Sequence, residues 1–214
     1  MRAGLSDGLP FLARPDPALR LMRAARRLFA GFLCLCLGLA SAHADEGVPV
    51  CFNYGCASEA IVLFAESRLV AIGRQLKQAK TAADERERLS PVVGQLYAWA
   101  GEQTPIKADR AGNVADGGVY GAMDCIDHSA TTARFLRLLE RRGALRFHHV
   151  REPVRRGWIF QHYTAVIEEN LPSAMLQADV LSARWAVDSW YVDHGQPALV
   201  LPLKEWFDYW SPDA

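Results

Sequence analysis

Cys125 stands early in the stretch 121–140, GAMDCIDHSATTARFLRLLE, where irregular sequence gives way to helical periodicity. The unpaired N–H groups and positive dipole end of a helix's first turn stabilise a thiolate. The cysteine's own N–H can also face a developing oxyanion. Four roles compete for Cys125: core filler, half of a disulfide, metal ligand and nucleophile. A nucleophile needs a histidine within hydrogen-bond reach and a third group holding that histidine. Asp124 and Asp127 share the same turn. As caps they complement the dipole; as charges they raise the thiol pKa and require a nearby cation to compensate.

Beyond residue 44 the chain has five histidines. His128 lies three residues after Cys125 on the same helix, close but poorly aimed for in-line proton transfer. His148 and His149 are adjacent and point to opposite faces of a strand, and His194 sits in an exposed turn. His162 begins the apolar run 162–167, which reads as a strand with the imidazole at its open end, a rigid platform for a base. The run 185–188, Trp-Ala-Val-Asp, ends a second strand with a carboxylate. Asp188 is therefore the expected partner of His162, with Asp193 the second choice. A zinc site of Cys125, His128 and His162, completed by Asp127 or Asp188, has suitable residue types but ranks below the thiol nucleophile. No cofactor and no metal are expected.

The remaining cysteines sort by compartment. Arg23, Arg26 and Arg27 precede an apolar run, 28–40, followed by Ser-Ala-His-Ala. That is the pattern of a secretory signal peptide, with cleavage after Ala44. The run is about half the length a bilayer-spanning helix needs, so no stable membrane span is expected after cleavage. Residues 1–44 are read as leader and signal, and 45–214 as one domain in the periplasm or outside the cell. Cys34 and Cys36 leave with the leader. Cys51 and Cys56 then form a natural local disulfide across Asn53-Tyr54-Gly55, leaving Cys125 as the odd thiol.

The leader holds six of the 24 basic and two of the 24 acidic side chains, leaving 18 against 22 in the remainder. With no basic excess, a nucleic-acid partner is not expected.

Apolar spacing predicts a helix capped by Ser58 and carrying Ile61, Phe64, Leu69, Ile72 and Leu76. A polar link, 81–88, should precede a second helix with Val92, Val93, Leu96 and Tyr97. That helix starts at Ser90-Pro91 or bends there. After a long irregular loop, 103–122, comes the Cys125 helix, stopped by Arg141, Arg142 and Gly143. Strand-like patterns follow at 145–150, 158–167, 184–192 and 199–203. Helices first and strands later predict an α+β domain, its helices packed on an antiparallel sheet.

Cys125-Ile126-Asp127 with Phe135, Leu136, Leu138, Leu139 and Gly143, then His162 with 165–167, then 185–188, resembles the transglutaminase-like group of papain-type cysteine proteins, including its bacterial cysteine-proteinase branch. The resemblance covers about half of 45–214. Ile126 and Thr164 stand where many members carry aromatic residues. It implies a papain/transglutaminase-like core and a Cys125–His162–Asp188 triad. The implied activity is thiol-dependent acyl transfer, peptidase, amidase or transglutaminase-like, on a protein or peptide substrate. The alternative is a non-catalytic relative acting as a periplasmic binding or assembly module.

Overall fold

The structure, a computed structural model, describes residues 45–112, 114–171 and 180–208. They belong to one compact unit, Ala44–Ala214. The leader and signal peptide expected in 1–44 lie outside the described residues, as do Tyr209 and Trp210.

The domain is α+β. Strands β1 (Glu46–Phe52) and β2 (Ser58–Phe64) form an antiparallel hairpin. Helices α1 (Glu66–Lys77) and α2 (Ala82–Gly101) follow, then a short 3-10 helix, Pro105–Ala108, and helix α3 (Cys125–Arg141). Strands β3 (His148–Arg156), β4 (His162–Glu169), β5 (Arg184–Asp188) and β6 (Leu199–Pro202) make an antiparallel sheet in sequence order, and α4 (Leu203–Asp208) closes the described chain. Helix α3 contacts β1 of the hairpin and β3, β4 and β5 of the sheet. Its buried side chains Phe135, Leu136, Leu138 and Leu139 join those of α1, α2 and β1 in the main core. No described helix is long and apolar enough to cross a membrane.

Two expectations need correction. The segment expected to open a Ser58-capped helix is strand β2: Val62 and Phe64 are fully buried while Ile61 and Leu63 are 63% and 56% exposed. That is a period of two, and its partner β1 repeats it with Val48, Val50 and Phe52 buried. Strands therefore come first as well as last. The polar link at 81–88 is also helical, because Thr81 caps α2 by accepting from Asp84 N–H. Helix α2 runs on through Pro91, the bent-or-continuous alternative. Ser90 ties this point to the chain before β6: its Oγ donates to the Ala198 carbonyl at 2.7 Å, and its carbonyl accepts Ala198 N–H at 3.1 Å.

Cys51 and Cys56 are disulfide-bonded. The turn they close is left-handed throughout, with φ of 67°, 66°, 63° and 55° at Asn53, Tyr54, Gly55 and Cys56. Non-glycine residues there cost about 1–2 kcal/mol each, so the turn needs an anchor. It finds one in the cap of α3. Asp127 accepts Tyr54 N–H at 2.8 Å and Cys56 N–H at 2.5 Å, and Asp124 accepts Gly55 N–H at 2.9 Å. Three successive amides thus converge on two carboxylates, as in an anion-binding nest.

Candidate active site

Cys125 is the first residue of α3. Asp124 caps the helix by accepting Ile126 N–H at 3.0 Å and Asp127 N–H at 2.9 Å, while Asp127 reaches back to Asp124 N–H at 3.2 Å. This capping box uses the next two amides, while the N–H of Cys125 acts on its own thiol. The aspartates beside the thiol are therefore structural. They cap α3 and hold the disulfide turn. Burial, with the Asp124 charge adding to it, keeps the Asp127 carboxyl above the usual carboxylate range against the pull of its backbone donors.

His162 begins β4 and Asp188 ends β5. Those strands pair antiparallel, with Ala165 opposite Val187, so the start of one lies beside the end of the other. His162 Nε2 and Asp188 Oδ2 are hydrogen-bonded at 2.7 Å. Asp188, almost fully buried, also accepts the Trp206 indole N–H at 2.8 Å and Trp190 N–H at 3.1 Å. The imidazole lies among three aromatic rings, with centroids 4.9 Å to Trp190, 5.0 Å to Tyr191 and 5.6 Å to Trp206. With Nε2 committed to Asp188, Nδ1 is the nitrogen left for chemistry. It has no hydrogen-bond partner among the described residues.

The half-buried thiol meets the main chain on both sides of His162. Its Sγ is 3.7 Å from the Gln161 carbonyl oxygen, and the Tyr163 N–H also acts on it. Burial pushes the thiol up to about 11; Tyr163 N–H opposes this, while Asp124 and Asp188 add to it. At neutral pH the resting group is therefore SH, with only about one part in ten thousand ionised. Attack by this sulfur requires a base that removes its proton.

The other expected residues go elsewhere. His128 is buried, with Nδ1 2.8 Å from Ser189 Oγ and Nε2 2.9 Å from Asp109 Oδ2. Both ring nitrogens are taken, so the set Cys125, His128 and His162 does not converge on a zinc ion. The one group of three candidate ligands that does converge among the described residues is Cys51, Cys56 and Glu59, and two of these share a disulfide. His148 is sealed against Glu85 at 2.8 Å, while His149 is exposed. His194 is half-buried rather than exposed, packed edge-on to Tyr97 and so close to Gly101 that an added Cβ would meet its Nε2 at 2.4 Å. Asp193 accepts Ala111 N–H at 3.2 Å and is not the partner of His162.

Sequence reasoning missed the aromatic wall and the buried line behind it. Trp190 and Tyr191 directly follow Asp188-Ser189 and carried a local signal. Trp206, eighteen residues after Asp188, carried none. In comparisons with known proteins the chain matches no family model, no curated protein and no solved structure.

Proposed function

We propose that the protein is an exported thiol-dependent acyl-transfer enzyme with a papain/transglutaminase-like core, using Cys125 as nucleophile, His162 as base and Asp188 as orienting carboxylate. The observation that carries this reading is the committed Nε2 of His162: bonded to Asp188 at 2.7 Å, it leaves Nδ1 unspent, and the thiol lies 3.7 Å from the carbonyl oxygen of the preceding residue, Gln161. The raised thiol favours general-base catalysis over a resting ion pair.

In this scheme the Cys125 Sγ–carbon bond forms as the thiol proton passes to His162 Nδ1. The carbonyl π electrons move onto oxygen, which the Cys125 N–H stabilises. Collapse breaks the carbon–nitrogen bond, and the imidazolium returns its proton to the leaving amine. Water then hydrolyses the thioester in a peptidase or amidase; an amine accepts the acyl group in a transglutaminase. Asp188 orients the imidazole throughout, with the Trp206 and Trp190 N–H groups fixing its carboxylate.

The reading is tested by incubating the protein with a casein substrate and a fluorescent primary amine, scoring new N-termini and amine incorporation. Either product, lost in Cys125→Ala, supports it. Neither product, or either one undiminished in Cys125→Ala, overturns it. A second reading, a non-catalytic periplasmic binding or assembly module on the same core, draws on the thiol being held near 11 with Asp124 and Asp188 pushing the same way. It expects Cys125→Ser to retain partner binding and phenotype.

A further inference from the structure

The connection between β3 and β4 carries Gly157-Trp158-Ile159-Phe160-Gln161. Trp158, Ile159 and Phe160 are 91%, 88% and 81% exposed, the three most exposed large apolar side chains of the described residues. The tip is a tight turn: Gly157 has φ +76°, and a Cβ there would meet the Phe160 carbonyl oxygen at 2.1 Å. Three consecutive apolar residues held in water by a fixed turn mark an interaction site.

Their neighbours identify the partner's chemistry. Arg155 is exposed and has no acidic partner among the described residues. Arg151 on the same strand is ion-paired with Glu168, and Arg156 packs over the Trp206 ring at 4.4 Å. The strand leading to the tip carries three arginines against one glutamate, Glu152, although residues 45–214 carry a net acidic charge. An indole and two further apolar side chains beside a local basic excess suit the headgroup layer of an anionic membrane, where amphipathic rings settle and arginines meet lipid phosphates. A peptide groove fits less well, because groove walls shade one another and exposures above four-fifths leave no shading.

We propose that the β3–β4 tip docks the domain on anionic phospholipid bilayers. Gln161, the next residue after the tip, puts its carbonyl oxygen 3.7 Å from the Cys125 sulfur. Docking therefore brings the thiol to the membrane surface, and the substrate class becomes an amide on a membrane-anchored polypeptide. That corollary rests on the acyl-transfer reading; the docking itself does not.

The test follows the fluorescence of the full chain titrated with vesicles of brominated phosphatidylglycerol and phosphatidylcholine. Quenching that disappears in Trp158→Phe is the expected result. Ile159→Ser/Phe160→Ser should shift the titration of Trp158 to about tenfold more lipid. Arg155→Ala should shift it about fivefold at low salt and less at high salt. Cys125→Ala should titrate as the unaltered chain does, so loss of catalysis and loss of docking are separable. The proposal is overturned if no quenching depends on Trp158. It is also overturned if the serine pair leaves the titration unchanged while raising KM for a soluble peptide, which makes the tip a peptide platform.

Discussion

The molecule contains two histidine–carboxylate lines that meet at adjacent residues, and only one of them leaves a ring nitrogen unspent among the described residues. In the core, Asp109, His128 and Ser189 form the order carboxylate, imidazole, hydroxyl at 2.9 and 2.8 Å. At the rim, Asp188 holds His162 at 2.7 Å, and the carbonyl oxygen of the preceding residue, Gln161, lies 3.7 Å from the sulfur of Cys125. By residue type the buried line resembles a serine-hydrolase triad, yet it is closed. Ser189 Oγ also meets Thr132 Oγ1 at 3.0 Å and Tyr97 Oη at 3.2 Å, and Asp109 also accepts Met123 N–H at 2.8 Å. Every group has its partners, and all three residues of that line are nearly sealed from solvent. Residue type does not separate a closed line from an open one; an unspent ring nitrogen does. The buried line ties α2, α3, the loop before Cys125 and the end of β5 together, so it holds the two halves of the rim line in place.

The sharpest way to break this contrast is a matched pair of substitutions. Asp188→Asn should lower the rate of acyl transfer by about a hundredfold or more by misorienting His162, with a modest effect on folding. Asp109→Asn should do the reverse, costing about 2–3 kcal/mol of stability through its buried partners; urea midpoints and rates measured on both variants check the split. Equal rate losses would merge the two lines into one.

The raised thiol gives a pH prediction. A pKa near 11 means the thiol stays protonated until strongly alkaline pH. Alkylation of Cys125 by iodoacetamide at neutral pH should thus be about a hundredfold slower than that of an unperturbed cysteine and should climb with pH beyond the range where one levels off. A rate profile from neutral to alkaline pH checks the sign; a plateau already near neutrality would point to an ion pair instead.

Two smaller effects concern the supports. Cys51→Ser/Cys56→Ser should cost about 2 kcal/mol from loop closure. It should also loosen the turn whose amides bind Asp124 and Asp127, visible as faster hydrogen exchange at Tyr54 and Cys56. Tyr97→Phe, which removes the hydroxyl that meets Thr132, Ser189 and the His128 carbonyl, should cost about 1 kcal/mol and leave the rate nearly unchanged.

The parts of this arrangement that local pattern encodes were legible in the sequence. Helix α3 has its cap, its apolar face and its Gly143 stop within one stretch, and strands β4 and β5 carry His162 and Asp188 at their ends. The β1–β2 hairpin was not legible, because the apolar positions of β2 merge with those of α1 into a false helical spacing. What separates them is pairing with β1, a tertiary fact. The role of His128 was hidden for the same reason: its partners, Asp109 and Ser189, come from opposite sides of it in the chain. The loop 103–122 has no period in the sequence to mark its buried Asp109, which proves to be an anchor.

The most direct test of the reactive line is peptide-mapped acylation. The protein is treated with an activated acyl ester, quenched early and digested to locate the acyl group. The rim account predicts a thioester on Cys125, none on Ser189, and a loss of about a hundredfold or more in labelling rate in His162→Ala. Acyl groups on Ser189, or undiminished labelling of Cys125 without the imidazole, would contradict it.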